Sequence, residues 1–464
     1  MKRHAFLLGA ALVGSLALAQ ATQAPPREAA VYAVFAQWTP ATPGCAVGVA
    51  VNGTSVLERG YGMADLEHDV ANTADTIFEA GSVSKQFTAA AVLLLVRDGK
   101  LSLDDPVRKY IPELPDYGAP LTVRHMLNHT SGLRDWGAVA GIAGWPRGRR
   151  VHTHAHVLDI VSRQKAVNFT PGTNWSYSNT GFNLAAIVVS RLSGQSFADF
   201  SRDRIFIPLG MTRTSWRDDY TRIVKHRAIA YERAADGFHE DMPFENVHGN
   251  GGLLTTVGDL LRWNENFVAP KVGDAAFAAE QQTVGRFNDG RAHDYALGLY
   301  VGAYRGVPEV SHSGSTAGYR AFLSRYPEHH LSVAVLCNAA NATATHYAHA
   351  VAEAYLGSAV GPVPPSRASA PAPAPPPSQL AAELSTYSGR YVSDEAETEF
   401  VIVVEGGELV LKRRPDTILR MRPTGNDTFA VPSLGTITFR RANGRVNALS
   451  VRLDRVWDLS FERK

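Results

Sequence analysis

Three small groups of side chains in the 464-residue sequence carry the residue types of nucleophilic catalysis: Ser82 with Lys85, Tyr177 with Asn179, and His312 with Gly314. A hydroxyl one helical turn from an amine becomes a nucleophile when the amine is held without its proton and so takes the hydroxyl proton. Burial supplies that condition, because leaving water penalises the ammonium more than the free amine. The plainer alternative is a helix-capping Ser82 beside a solvated Lys85, and a lone Ser-x-x-Lys arises often by chance. Tyr177 and Asn179, two residues apart in a non-helical stretch, share one side of the chain. A phenol titrates near ~10 and acts as a base only beside cations, a setting that Ser82 and Lys85 offer. Its alternative is a buried tyrosine satisfied by hydrogen bonds. In His312-Ser313-Gly314-Ser315, the glycine permits close backbone approach and the amide after it is available to an oxyanion.

The elements that must hold these groups are legible around them. Residues 83–96 are apolar on nearly every side, which predicts a helix buried all round and ended at Asp98-Gly99. Ser82 then stands in the first turn of a central helix. In residues 43–63, Cys45, Val47, Val49 and Val51 alternate with Ala46, Gly48 and Ala50, then meet the turn Asn52-Gly53. That is a hairpin whose small-residue face is expected to lie under helices. Leu103-Asp104-Asp105-Pro106 predicts a helix start, with aspartate as cap and proline at the first position. Residues 121–127 continue helically to a stop at His129-Thr130-Ser131-Gly132. A further apolar helix is predicted over 182–192, strands over 320–326 and 331–337, and a helix over 343–356. The glycine-rich run 249–252 lacks the Lys-Ser or Lys-Thr of a phosphate cradle and reads as a mobile loop lining a cleft.

Other candidates compete. His129 and Ser131 form a conceivable base and nucleophile, but a helix-ending turn accounts for them with no third partner required. His152, His154 and His156 would face one way on a strand and bind zinc there. No Asp or Glu flanks them at ligand spacing, and they read instead as a surface loop entering a helix. Arg147, Arg149 and Arg150 read as a solvated loop. Loops at 136–150 and 231–247 are expected to shape the pocket.

A net charge of +2 with both signs mixed gives no reason for a nucleic-acid or membrane-surface partner. Lys2 and Arg3 precede an apolar segment, 5–19, with small residues Ala17 and Ala19 before Gln20. This pattern predicts a signal peptide over 1–19, too short to remain as a membrane span, and hence a periplasmic or secreted protein without a membrane anchor. The two cysteines, Cys45 and Cys337, are too few for a disulfide-built scaffold. Residues 358–379 are rich in Pro, Ala and Ser and predict a semi-rigid linker between a large domain, 24–357, and a small one, 380–464. In the small domain, residues 400–411 and 436–453 read as two hairpins of a small antiparallel barrel, with no residue of evident chemistry. Nothing in the sequence sets an oligomeric state.

Taken in order, Ser82-x-x-Lys85, Tyr177-x-Asn179 and His312-x-Gly314 resemble the serine hydrolases related to class C β-lactamases and penicillin-binding proteins. So do Leu101-Ser102-Leu103-Asp104-Asp105, His129-Thr130-Ser131-Gly132-Leu133, Pro171-Gly172, Pro208-Leu209-Gly210-Met211 and Gly251-Gly252-Leu253. The resemblance implies an α+β fold with an antiparallel sheet flanked by helices, an all-helical region, and the site in the cleft between. It implies Ser82 as acylated nucleophile, Lys85 sharing its proton, and Tyr177 as general base. Asn179 would orient Lys85 or substrate, the amides of Ser82 and Ser315 would form the oxyanion hole, and Asn341 would lie on the substrate side. No cofactor or metal is implied. His312 stands where β-lactamases of this group carry lysine, which removes a permanent cation. That variant is similar to D-aminopeptidases and esterases, so a small-molecule or peptide substrate is expected, cleaved at an amide or ester. The alternatives are a β-lactamase or penicillin-binding carboxypeptidase, and a non-catalytic ligand-binding protein. The same resemblance places Cys45 and Cys337 on neighbouring strands as a disulfide or a buried thiol pair. It also likens the small barrel to a lipocalin-like appendage with a structural or substrate-gating role.

Overall fold

Alternating valine with small residues gives the strand Cys45–Val51 two differently filled faces. Val47 and Val49 pack with Val31 and Phe35 of the helix Pro26–Phe35 and with Tyr347, Ala348 and Val351 of the helix Ala344–Leu356. On the opposite face Gly48 admits the helix Val257–Glu265 so closely that a Cβ there would stand 3.0 Å from Val257 and 3.1 Å from Leu261. The computed structural model describes residues 26–363 and 381–464. The signal segment and residues 364–379 of the linker lie outside the described residues.

Cys45–Val51 belongs to a six-stranded antiparallel sheet, in spatial order Tyr300–Tyr304, Val307–Thr316, Tyr319–Tyr326, Leu331–Cys337, Cys45–Val51 and Thr54–Tyr61. The first strand of the sheet therefore lies beside its last, and Cys45 faces Cys337 in register. The two are joined by a disulfide closing a separation of 292 residues. Such a cross-link restricts the unfolded chain more the longer its loop, with measured effects of about 2–5 kcal/mol for native bridges. Reduction is expected to lower the thermal midpoint and the denaturant midpoint; midpoints unmoved by reductant would deny the bridge any stabilising part.

The central helix runs Lys85–Arg97, with Lys85 to Leu95 all buried, preceded by a 3₁₀ turn at Gly81–Ser84. Ser82 thus sits in the 3₁₀ turn rather than in the helix itself. The neighbouring helix spans Asn179–Ser193 and starts three residues before the apolar run that announced it. Its early start follows from Asn179, whose amide is bonded to Asp135 Oδ2 at 2.8 Å. The helix expected at Asp105-Pro106 is corrected: Pro106 is extended, and only Val107–Lys109 makes a 3₁₀ turn. The Asp105 carboxylate folds back onto the Ser102 amide at 2.8 Å and the Lys109 amine at 3.2 Å instead. Helix Val123–Leu127 follows, capped by Thr122.

Residues 389–463 form a closed eight-stranded antiparallel barrel. Its interior is filled by buried Tyr391, Phe400, Ile402, Leu411, Phe429, Ile437, Leu449 and Phe461, so it is a packed core of the kind small barrels have. The barrel is joined to the large unit by a buried ion pair, Arg134 with Glu395, exposed 3% and 8%. Arg134 Nη2 also donates to the carbonyls of Trp457 and Asp458, at 3.2 and 3.3 Å. Among the described residues no helix is long and apolar enough to cross a membrane.

Candidate active site

The 3₁₀ turn, the start of helix Asn179–Ser193 and the strand Val307–Thr316 converge on one cleft of about 760 Å³. Ser82, Tyr177, Asn179, His312, Gly314 and Ser315 all line it. Lys85 lies beneath its floor, fully buried. The convergence depends on two glycines. A Cβ on Gly314 would stand 2.0 Å from the Ala80 carbonyl, and one on Gly81 would stand 2.5 Å from the Ser315 amide nitrogen. Gly81 also has a φ of +51°, where a side chain is strained. Only without these Cβ atoms can the strand press against the turn and bring the Ser315 amide beside Ser82.

Lys85 Nζ lies 3.0 Å from Ser82 Oγ, 2.9 Å from Asn179 Oδ1 and 2.6 Å from the Asn250 carbonyl. Burial, then the Arg455 and Arg147 charges, push this amine well below its ordinary pKa, against a smaller pull from Asp135. A neutral amine has two hydrogens and one lone pair. Asn179 Oδ1 and the Asn250 carbonyl can only accept, so they take both hydrogens and the lone pair is left facing Ser82 Oγ. Asn179 is fixed in that orientation because its Nδ2 donates to Asp135 Oδ2 at 2.9 Å. Asp135 in turn caps the helix Trp136–Ile142 through the Ala138 amide at 3.0 Å.

The loop 249–252, expected to be mobile, is pinned. The Gly249 carbonyl accepts from Thr88 at 2.7 Å, Asn250 Oδ1 accepts from Asn183 at 2.7 Å, and the Leu253 amide donates to Ser84 Oγ at 3.1 Å. Tyr177 is packed against His129, ring centroids 4.2 Å apart, with Lys85 Nζ 4.9 Å from its own centroid. Burial raises the phenol's pKa, more than its hydrogen bond with Ser82 and the Arg455 charge lower it. His129 is no partner for Ser131. Its Nδ1 accepts from the Ser178 amide at 3.2 Å, while Ser131 Oγ accepts from the Leu133 amide at 3.2 Å.

His312 is held neutral. Its Nδ1 is 2.6 Å from the Ser313 carbonyl, which can only accept, and Nε2 is 2.8 Å from the Tyr295 hydroxyl. Burial and then the Lys85 charge lower its pKa to about 3, so the position carries no cation at neutral pH.

Asn341 is corrected: it is exposed and absent from the lining, where Ala342, Thr343, Ala344 and Thr345 form the wall instead. The arginine cluster divides. Arg149 and Arg150 are exposed, whereas Arg147 reaches the cleft and places Nε 3.0 Å from both oxygens of buried Glu245. His152 contacts the Trp145 carbonyl at 3.2 Å, His154 the His248 carbonyl at 2.9 Å, and His156 closes the capping box with Thr153. Among the described residues no group of three or more His, Cys, Asp or Glu is arranged to hold a metal ion.

Four residues at the site escaped sequence reasoning: Asp135, Asn250, Tyr295 and Arg455. Asp135 had one signal, its place just before the helix at Trp136, where an aspartate caps. Arg455 comes from the barrel, where the sequence showed no residue of evident chemistry, and had none. Its guanidinium carbon lies 4.8 Å from the Tyr177 ring centroid.

Residues 31–356 match the family described as Beta-lactamase. Penicillin-binding protein 4* of Bacillus subtilis (strain 168) is 30% identical over 312 residues, 62% of this chain and 66% of that protein. A D-aminopeptidase of Brucella anthropi is 30% identical over 300 residues, 64% of this chain and 56% of that one. The chain thus spans between 56% and 66% of the length of these curated relatives. Among solved structures, the octameric penicillin-binding protein homologue from Pyrococcus abyssi superposes with a TM-score of 0.63 at 24% identity, covering 94% of this chain and 98% of that one. The D-amino acid amidase from Ochrobactrum anthropi SV3 superposes with a TM-score of 0.60 at 25% identity, over 71% of this chain and 96% of its own.

Proposed function

The chain belongs to the beta-lactamase family, and on that premise we propose that it is a serine hydrolase cleaving an amide or ester bond through an acyl-enzyme on Ser82. The observation that carries the reading is the buried amine of Lys85, 3.0 Å from Ser82 Oγ with its other two directions occupied by acceptors. Lys85 takes the Ser82 proton as Oγ attacks the carbonyl carbon. Lys85 rather than Tyr177 takes this proton because its two hydrogens are engaged by acceptors and its lone pair faces Ser82 Oγ, and because burial lowers the pKa of the amine while raising that of the phenol. Tyr177, whose ring centroid lies 4.9 Å from Lys85 Nζ and which lines the cleft with Ser82, then passes a proton to the leaving group and draws its replacement from Lys85. The amides of Ser82 and Ser315, brought together by Gly81 and Gly314, receive the oxyanion. Water attacks the acyl carbonyl by the same relay in reverse and frees Ser82.

A peptidase or esterase fits better than a β-lactamase because the neutral His312 leaves this strand without a fixed cation for a ring carboxylate. Nitrophenyl esters or peptide substrates are expected to be turned over faster than nitrocefin. The reverse ranking would show that His312 does not have the effect assigned to it. Export belongs to the same proposal. The pattern of residues 1–19 supports it, as does the Cys45–Cys337 bridge, since disulfides persist in oxidising compartments.

A further inference from the structure

With His312 neutral, the charge of the cleft comes from elsewhere. Its lining holds Arg147, Arg320 and Arg455, and no Asp or Glu among the described residues. Arg147 is neutralised by Glu245. Arg320 spends Nη1 on the carbonyls of Ala317 and Tyr319, at 2.6 and 2.7 Å. Among the described residues the guanidinium of Arg455 enters no ion pair or hydrogen bond; its one neighbour of note is the face of Tyr177.

Arg455 is not there as a loose surface side chain. It forms the two-residue turn with Asp454 between the strands Arg445–Leu453 and Val456–Arg463. Its carbonyl accepts from the Asp135 amide and from Asn168 Nδ2, each at 3.2 Å. The Trp457 amide donates to Asn168 Oδ1 at 2.8 Å. The main chain is thereby clamped to the large unit at Arg455 and at Trp457 just after it, while the side chain stays exposed to the cleft. The clamp also touches Asp135, the residue that orients Asn179 and through it Lys85.

We propose that the barrel completes the substrate site, and that Arg455 binds an anionic group on the leaving portion of the substrate. The proposal rests on the hydrolase reading above. The leaving portion is specified because Arg455 lies against Tyr177, the residue placed to protonate the leaving atom. A planar guanidinium with all its donors free matches a carboxylate in two-point fashion. The same cationic lining, with no free carboxylate, disfavours a substrate held by a free amine.

The test uses the full chain and a matched pair of esters: one whose leaving group ends in a carboxylate, and its carboxamide. In the wild type kcat/KM is expected to favour the carboxylate by 10-fold or more. Arg455→Gln is expected to erase that preference through KM, Arg455→Lys to restore part of it, and added salt to weaken it in the wild type alone. No preference in the wild type would overturn the proposal. So would a preference that survives in Arg455→Gln while both substrates slow in parallel, the mark of lost packing on Tyr177. Fluorophosphonate labelling of Ser82 is run alongside. Labelling without carboxylate discrimination removes Arg455 from recognition and leaves the hydrolase reading standing; failure to label the wild type removes both.

Discussion

Lys85→Met is expected to lower kcat/KM by about 10²- to 10⁴-fold, the range of a general base, while the chain remains folded. The wild-type rate should climb with pH through the pKa of Lys85, because the free amine is the active form and burial holds that pKa well below 10.5. The variant should lose this ascending limb. The stability effect has opposing parts. A lysine with a depressed native pKa binds its proton more tightly in the unfolded chain, so below the ordinary ammonium pKa it destabilises the fold. Methionine removes that cost but leaves Asn179 Oδ1 and the Asn250 carbonyl without a donor, at about 1–3 kcal/mol each. A pH–rate profile of both proteins, with a melt of each, separates these effects. A Lys85→Met protein that is folded, active and retains the limb would show that the proton goes elsewhere.

Arg134→Ala is expected to cost about 3–5 kcal/mol, because it strands the Glu395 carboxylate where water does not reach. Two further bonds are lost, those to the carbonyls of Trp457 and Asp458, while the Lys165 amide remains as a partner of Glu395 Oε2 at 2.9 Å. The double variant Arg134→Ala, Glu395→Gln should recover part of the loss, since it removes the orphaned charge. Denaturant melts report the free energies. A single-variant cost under about 1 kcal/mol would mean that the pair is solvated when the barrel moves. Activity is coupled to this joint through position: Arg134 secures Trp457 and Asp458, the residues just past Arg455, and Arg455 reaches Tyr177.

Ser82 and Lys85 were legible because residues three apart across a 3₁₀ or α-helical turn are neighbours by local geometry alone. The hairpin at Asn52-Gly53 and the strands 320–326 and 331–337 were legible for the same reason, from side-chain alternation and turn chemistry. Tyr177, Asn179, His312 and Gly314 needed the resemblance, since no local rule brings positions 82, 177 and 312 together. The Cys45–Cys337 bridge also followed from the resemblance, through the adjacency of first and last strands. Boundaries fared worse where a polar residue overrode a pattern. Asn179 starts its helix early by bonding Asp135, and Asp105 folds onto Ser102 instead of capping a helix at Pro106. Asn341 was misplaced because its loop turns outward and leaves Ala342 to Thr345 at the cleft. Arg455 was illegible for a physical reason: a turn residue of one folding unit acquires its neighbours only when that unit docks on another.

The most direct test of the account is the intact mass of the protein after brief exposure to a fluorophosphonate, followed by peptide mapping. One adduct on Ser82 is expected in the wild type and none in Ser82→Ala, with turnover lost in step. An adduct on any other residue, or turnover that persists in Ser82→Ala, would contradict it.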